Sequence, residues 1–181
     1  REGKGCPTIP FSLKRRMPGW TRSAQVNING HATEEPAQPG QYRTLQRDWK
    51  TGDIIELQFE MTPQLMTSHP LVEETRGQVA LKRGPIVYCL ESPDLPKDVS
   101  IHSVKIPSDF HSSVEYLPPL LNGVCTLRGE IIIESPSDWE GVLYCPLAKR
   151  DEQRITTRFI PYYAWANRGP SEMSVWLPLA N

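Results

Sequence analysis

Apolar and polar residues alternate with a period of two along most of the chain, the spacing of strands that bury one face and wet the other. Phe11, Leu13, Arg15 and Met17 share one face of a first strand. Ala24, Val26 and Ile28 alternate with Gln25, Asn27 and Asn29 in a second, and Asn29-Gly30 then supplies two residues that tolerate the positive φ of a tight hairpin. Gly40 precedes a third candidate at 41–46, and Thr51-Gly52-Asp53 reads as a turn. After it Ile55, Leu57, Phe59 and Met61 face one way while Glu56, Gln58 and Glu60 face the other, the clearest half-buried strand in the chain. Residues 62–75 carry Pro63, His69 and Pro70 without a clean period and read as a connection.

Beyond that connection, residues 78–82 and 85–91 predict strands parted by Arg83-Gly84. The second is apolar on both faces (Ile86 to Leu90), which predicts a strand buried on both sides. Prolines 93, 96, 107, 118 and 119 leave room only for short strands at 101–106 and 123–127. Ile131-Ile132-Ile133 and Val142-Leu143-Tyr144 follow, and the end alternates through Ile155, Thr157, Phe159 and then Met173, Val175, Leu177. No window presents an apolar stripe at helical spacing. About ten short strands with regular turn signals predict an all-β fold. We expect two small, jelly-roll-like β-sandwich units over 1–65 and 66–181, the completeness of the first being left open.

Composition agrees with that picture. Eighteen prolines against 12 glycines in 181 residues favour short strands and shaped loops over helices. The net charge of −1, with Lys14-Arg15-Arg16 as the densest basic patch, argues against a nucleic-acid partner, which needs a larger basic field. No apolar run approaches the roughly 18 residues that would cross a bilayer as a helix, so no membrane partner is expected. The first residues, Arg1-Glu2-Gly3-Lys4-Gly5, lack the apolar stretch of a signal peptide. Compartment stays open.

Candidate chemistry is sparse. Cys6, Cys89, Cys125 and Cys145 form no C-x-x-C pair, and the four histidines, His31, His69, His102 and His111, show no metal-ligand spacing. No metal site is expected, and buried thiols are the plain reading of Cys89 and Cys145, with a disulfide left open. There is no G-x-S-x-G elbow and no glycine-rich phosphate loop. The adjacent carboxylates Glu34-Glu35, Glu73-Glu74 and Asp151-Glu152 sit in polar contexts. Sequence neighbours on a strand point to opposite faces, so these pairs are poor acid–base partners. The suggestive feature is aromatic: Tyr162, Tyr163 and Trp165 precede Ala166-Asn167-Arg168-Gly169, and Trp176 follows. Flat rings can stack on sugar faces while Asn167 and Arg168 bond hydroxyls; equally, large aromatics fill sandwich cores and Asn-Arg-Gly shapes a turn.

Several strings occur together in order: Arg16-Met17-Pro18-Gly19-Trp20, Val26-Asn27-Ile28-Asn29-Gly30, Gly40-Gln41-Tyr42, Arg47-Asp48-Trp49 and Gly52-Asp53. Further on come the run from Val79 to Glu91, containing Arg83-Gly84-Pro85-Ile86-Val87-Tyr88-Cys89-Leu90-Glu91, and the run from Tyr162 to Gly169. As a set they resemble the C-terminal region of glycoside hydrolase family 127, whose type activity is β-L-arabinofuranosidase. The similarity covers nearly the whole chain, with 92–154 least distinctive. It implies an N-terminal (α/α)6 barrel elsewhere in the parent protein, followed by two β-sandwich domains. It also implies a cysteine nucleophile beside a zinc held by cysteines and a glutamate, all in that barrel. Cys89 falls in a sandwich string, so no catalytic role passes to it and no cofactor is expected here. The chain is expected to be inactive alone, with the barrel as its partner. Alternatives are a carbohydrate-binding module using Tyr162, Tyr163, Trp165, Asn167 and Arg168, or an oligomerisation module.

Overall fold

The computed structural model describes residues 8–33, 38–134, 142–144, 146 and 151–180. It is all-β, and the 3-10 turns among the described residues are three residues long. The chain divides into two compact units, Arg1–Thr62 and Pro63–Asn181.

In the first unit, β1 (Ile9–Arg16) runs antiparallel to β4 (Tyr42–Trp49), with Leu13 opposite Leu45. β2 (Ala24–Ile28) lies between β3 (His31–Ala32) and β5 (Ile55–Phe59). Met17, Val26, Leu45 and Trp49 form the buried centre, and Leu13, Ile55, Leu57 and Phe59 pack around it. β5 shows the expected alternation, its apolar residues half-buried and Glu56 and Gln58 exposed. β1 does not bury a whole face: only Leu13 is half-covered, and Phe11 remains 47% exposed. Phe11 instead stacks on Trp49 at 5.6 Å, whose indole N–H donates to the Phe11 carbonyl at 3.0 Å.

Asn29 and Gly30, at φ 52° and 79°, make the β2–β3 turn foreseen from their residue types. The turn is tied to the one at 50–53. Asn29 Nδ2 donates to Asp53 Oδ1 at 2.9 Å, and Asn29 Oδ1 accepts from the Ile54 amide at 2.9 Å. Asp53 Oδ2 accepts from the Lys50 amide at 3.0 Å. These bonds hold the Asp53 carboxyl below its ordinary range, the Lys50 amide being the largest cause.

The second unit starts with β6 (Pro63–Thr67), paired along β7 (Gln78–Arg83). Residues 62–75 are therefore not all connection. Proline at the first position of an edge strand costs no ladder bond, and it hid the strand in the sequence. β8 (Ile86–Glu91) meets β7 only at the hairpin base, Lys82 opposite Val87 and Arg83 opposite Ile86. Farther along, the two strands part. Then come β9 (Val104–Lys105), β10 (Ser112–Leu117), β11 (Val124–Glu134), β12 (Glu152–Pro161), β13 (Met173–Ser174) and β14 (Trp176–Pro178). β7 pairs with β6 and β14, whereas β8 pairs with β12 and β13.

One bonded sheet thus forks and folds over a shared core. Val79 and Leu81 of β7 meet Tyr88 and Leu90 of β8, Leu127 and Ile131 of β11, Phe159 of β12 and Leu177 of β14. Cys89, on the opposite face of β8, packs with Val124, Ile160 and Ala164. β8 is buried on both sides from Tyr88 to Glu91, but Ile86 is only half-buried and Val87 is 38% exposed, so the two-sided burial expected from Ile86 to Leu90 begins at Tyr88.

The expected short strands around 123–127 and 131–133 are one strand, β11. Gly129 within it is no turn: a Cβ there would stand 2.6 Å from the Phe110 ring, which packs edge-on against Phe159 at 5.9 Å. Val142-Leu143-Tyr144, expected as a strand, is not one. Its residues are 46%, 86% and 92% exposed, without the burial an apolar strand requires.

Candidate functional site

The aromatic loop leaves β12 at Pro161 and makes a 3-10 turn over Tyr162–Ala164. Ala164 is buried and points its neighbours outward. Tyr162 and Trp165 lie nearly parallel, 15° between planes and 6.0 Å between centroids, and remain 46% and 38% exposed. Tyr163 is exposed apart from that pair. Asn167 Nδ2 donates to the carbonyls of Ala164 and Trp165, each at 3.1 Å, closing the turn from within. Ala166 at φ 64° and Gly169 at φ 98° let the backbone double back.

Arg168 points the other way, into the protein. Its Nε donates to Glu91 Oε2 at 2.8 Å, its Nη1 to Asp94 Oδ1 at 3.1 Å, and its Nη2 to both carboxylates. Glu91 is fully buried at the end of β8. Its Oε1 accepts from the Ala166 amide at 3.2 Å and the Ser171 hydroxyl at 3.1 Å. A buried carboxylate is tolerable only with such complete pairing. The Asp94 hydrogen bonds, with help from Glu91, hold the Arg168 guanidinium in its charged form.

The structure thus sorts the five residues proposed for sugar contact. Tyr162, Tyr163 and Trp165 present rings at the surface, while Asn167 and Arg168 spend their donors on the loop and its carboxylate base. Sequence reasoning missed Glu91 and Asp94. The available signal was an acidic residue ending an otherwise apolar run, which needs a cationic partner somewhere in the chain.

Other candidates stand apart. His31, His69, His102 and His111 are exposed, with His69 Nδ1 accepting from the Leu71 amide at 3.2 Å. Glu73-Glu74 and Asp151-Glu152 are exposed, and Glu34-Glu35 lies outside the described residues. Among the described residues no three His, Cys, Asp or Glu side chains converge as a metal site. Cys89 and Cys125 are free thiols, and Cys6 and Cys145 lie outside the described residues. Burial, aided by the negative charge of Glu91, pushes the Cys89 thiol up to about 12. A thiol so rarely ionised is a poor nucleophile.

Comparison with known proteins covers both units. Residues 4–61 match the family model described as the beta-L-arabinofuranosidase, GH127 middle domain, and residues 63–178 match the glycoside hydrolase family 127 C-terminal domain. A non-reducing end beta-L-arabinofuranosidase from Bifidobacterium longum subsp. longum is 31% identical over 174 residues, 93% of this chain and 26% of that protein. A solved structure described as a glycoside hydrolase superposes with a TM-score of 0.85 at 40% identity, covering 95% of this chain and 28% of its own. A GH127 beta-L-arabinofuranosidase from Geobacillus stearothermophilus T6 superposes with a TM-score of 0.82 at 37% identity, covering 96% of this chain and 27% of its own. The chain therefore spans about a quarter of the curated relative it matches. With one domain model seated on each folded unit, the chain belongs to glycoside hydrolase family 127, as its middle and C-terminal domains.

Proposed function

We propose that this chain is the non-catalytic sandwich part of a larger arabinofuranosidase-like glycoside hydrolase, supporting a helical barrel that breaks the glycosidic bond. The observation that carries the reading is the ordered match to the middle and C-terminal domains, over about a quarter of proteins named beta-L-arabinofuranosidases. The protonated, buried Cys89 supports it, because the chain's own best-defined thiol is unsuited to attack. In this reading the nucleophile and the zinc belong to the barrel. The test is hydrolysis of p-nitrophenyl β-L-arabinofuranoside by the chain alone and by the parent protein with its barrel. Turnover by the parent only is expected, and robust turnover by the chain alone overturns the proposal.

A second reading, sugar contact by the aromatic loop, is favoured by the exposed, near-parallel rings of Tyr162 and Trp165. Trp165→Ala then abolishes binding of arabinofuranosides while leaving the thermal transition within a few degrees. Unchanged binding in that variant removes the loop platform.

A further inference from the structure

A cleft of about 680 Å³ opens in the second unit beside the aromatic loop, with Tyr162 on its rim. Its volume falls within the roughly 300–1,000 Å³ typical of small-molecule sites. β14 builds one wall. Leu177 turns into the core, so its neighbour Trp176 faces the opposite way and lines the cleft, half-buried. Trp176 pairs with Ala80 and Pro178 with Gln78, so that wall is fixed by the sheet. In the 3-10 turn at 101–103 Ile101 is buried and His102 is exposed.

Part of the polar lining is committed: the Thr75 hydroxyl donates to Ser68 Oγ and the Ser174 hydroxyl to the Trp176 carbonyl, each at 2.6 Å. The side chains of Gln78, Glu74 and His102 form no hydrogen bond or ion pair among the described residues, and neither does the Trp176 indole N–H. The cleft therefore offers two aromatic side chains, Trp176 and the Tyr162 that stacks on Trp165, together with an amide, a carboxylate, an imidazole and an indole donor. Among the described residues no lysine or arginine lines it, so they supply none of the cations that phosphate or sulfate would require. A purely apolar ligand would leave four polar groups desolvated and unpaired. A neutral polyol with C–H faces and hydroxyl edges satisfies both sets.

We infer that this cleft binds a short, neutral oligosaccharide, stacking it on Trp176 and Tyr162 and holding its hydroxyls with Gln78, Glu74 and His102. The inference rests on the reading that the chain contacts carbohydrate, and it places that contact in the cleft instead of on Trp165. Strand-borne walls need little ordering on binding, which favours even a small ligand.

The test is a titration of the isotope-labelled chain with methyl β-L-arabinofuranoside and with an L-arabinofuranosyl disaccharide, followed by amide and indole NMR. Saturable shifts of the Trp176 indole and Gln78 side-chain amide resonances are expected. Trp176→Ala and Gln78→Ala each weaken the disaccharide by about tenfold or more. Should Trp176→Ala unfold, Gln78→Ala carries the test, since spectral dispersion reports its fold directly. Binding that survives Gln78→Ala but vanishes in Trp165→Ala overturns the cleft and leaves the loop platform standing. No saturable shift with either sugar overturns both sugar sites, while the hydrolysis assay of the parent judges the supporting role separately.

Discussion

The two units each use a side-chain bridge to hold a turn, but they build it in opposite media. In the first, Asn29 and Asp53 join two turns at the surface through exposed hydrogen bonds. In the second, Glu91 and Arg168 join a strand end to a loop 77 residues later through an ion pair in the interior. Water competes for every bond of the first bridge, so each contributes little and its loss is readily repaired by solvent. Water is shut out at the Glu91 end of the second, where the fully buried carboxylate must be satisfied by the protein or not at all. The same motif logic, an asparagine-glycine here and an asparagine-arginine-glycine there, therefore carries very different stakes.

That difference can be broken experimentally, and the largest effect is expected at Arg168. Arg168→Met keeps the bulk but leaves Glu91 buried without its cation, which should destabilise the second unit by about 3–5 kcal/mol. Hydrogen exchange should show lost protection at 86–91 and 173–178 with 24–28 unaffected. Adding Glu91→Gln should recover part of the loss, and strict additivity of the two changes would show that the pair is not coupled.

The neighbouring thiol sharpens the picture of a dry interior. With Cys89 pushed up to about 12, its thiolate population at mild alkaline pH is on the order of a thousandfold below that of an ordinary cysteine. Peptide-mapped iodoacetamide labelling should accordingly spare Cys89 in the native protein and reach it after denaturation. Rapid native labelling would mean that water enters beside Glu91.

The surface bridge should yield smaller numbers. Asn29→Ala removes two hydrogen bonds and places alanine at φ 52°, at a cost of roughly 1 kcal/mol for the left-handed backbone. Smallest is the acid response. The folded Asp53 carboxyl lies below its ordinary value of 3.8. Its contribution is therefore complete above that value and is lost as pH falls through the lowered folded one. NMR titration should find the Asp53 midpoint rising toward 3.8 in Asn29→Ala; an unmoved midpoint would assign the shift to the Lys50 amide alone.

Local patterns were legible where burial follows sequence neighbours. The alternation of Ile55, Leu57 and Phe59, the double-sided burial of Tyr88 to Leu90 and the Asn29-Gly30 turn all declare themselves within a few residues. β6 was hidden by its leading proline, and β11 was read as two short strands although its Gly129 leaves room for the Phe110 ring within one. Val142-Leu143-Tyr144 misled in the other direction, because apolar composition alone does not supply a partner strand. At the candidate site the aromatic rings were visible from composition, but the inward turn of Arg168 was not. Its partners lie 77 and 74 residues away, and no local period encodes a contact of that span.

The parting of β7 and β8 above their hairpin has a consequence for a chain still being synthesised. Their outer edges await β12, β13 and β14, and Arg168 reaches the exit tunnel 77 residues after Glu91. At roughly 5–20 residues per second, that is a wait of about 4–15 seconds. Through that interval a nascent apolar hairpin carries an unneutralised acid at the open end of β8, a charge that discourages premature edge-to-edge association until the cation arrives.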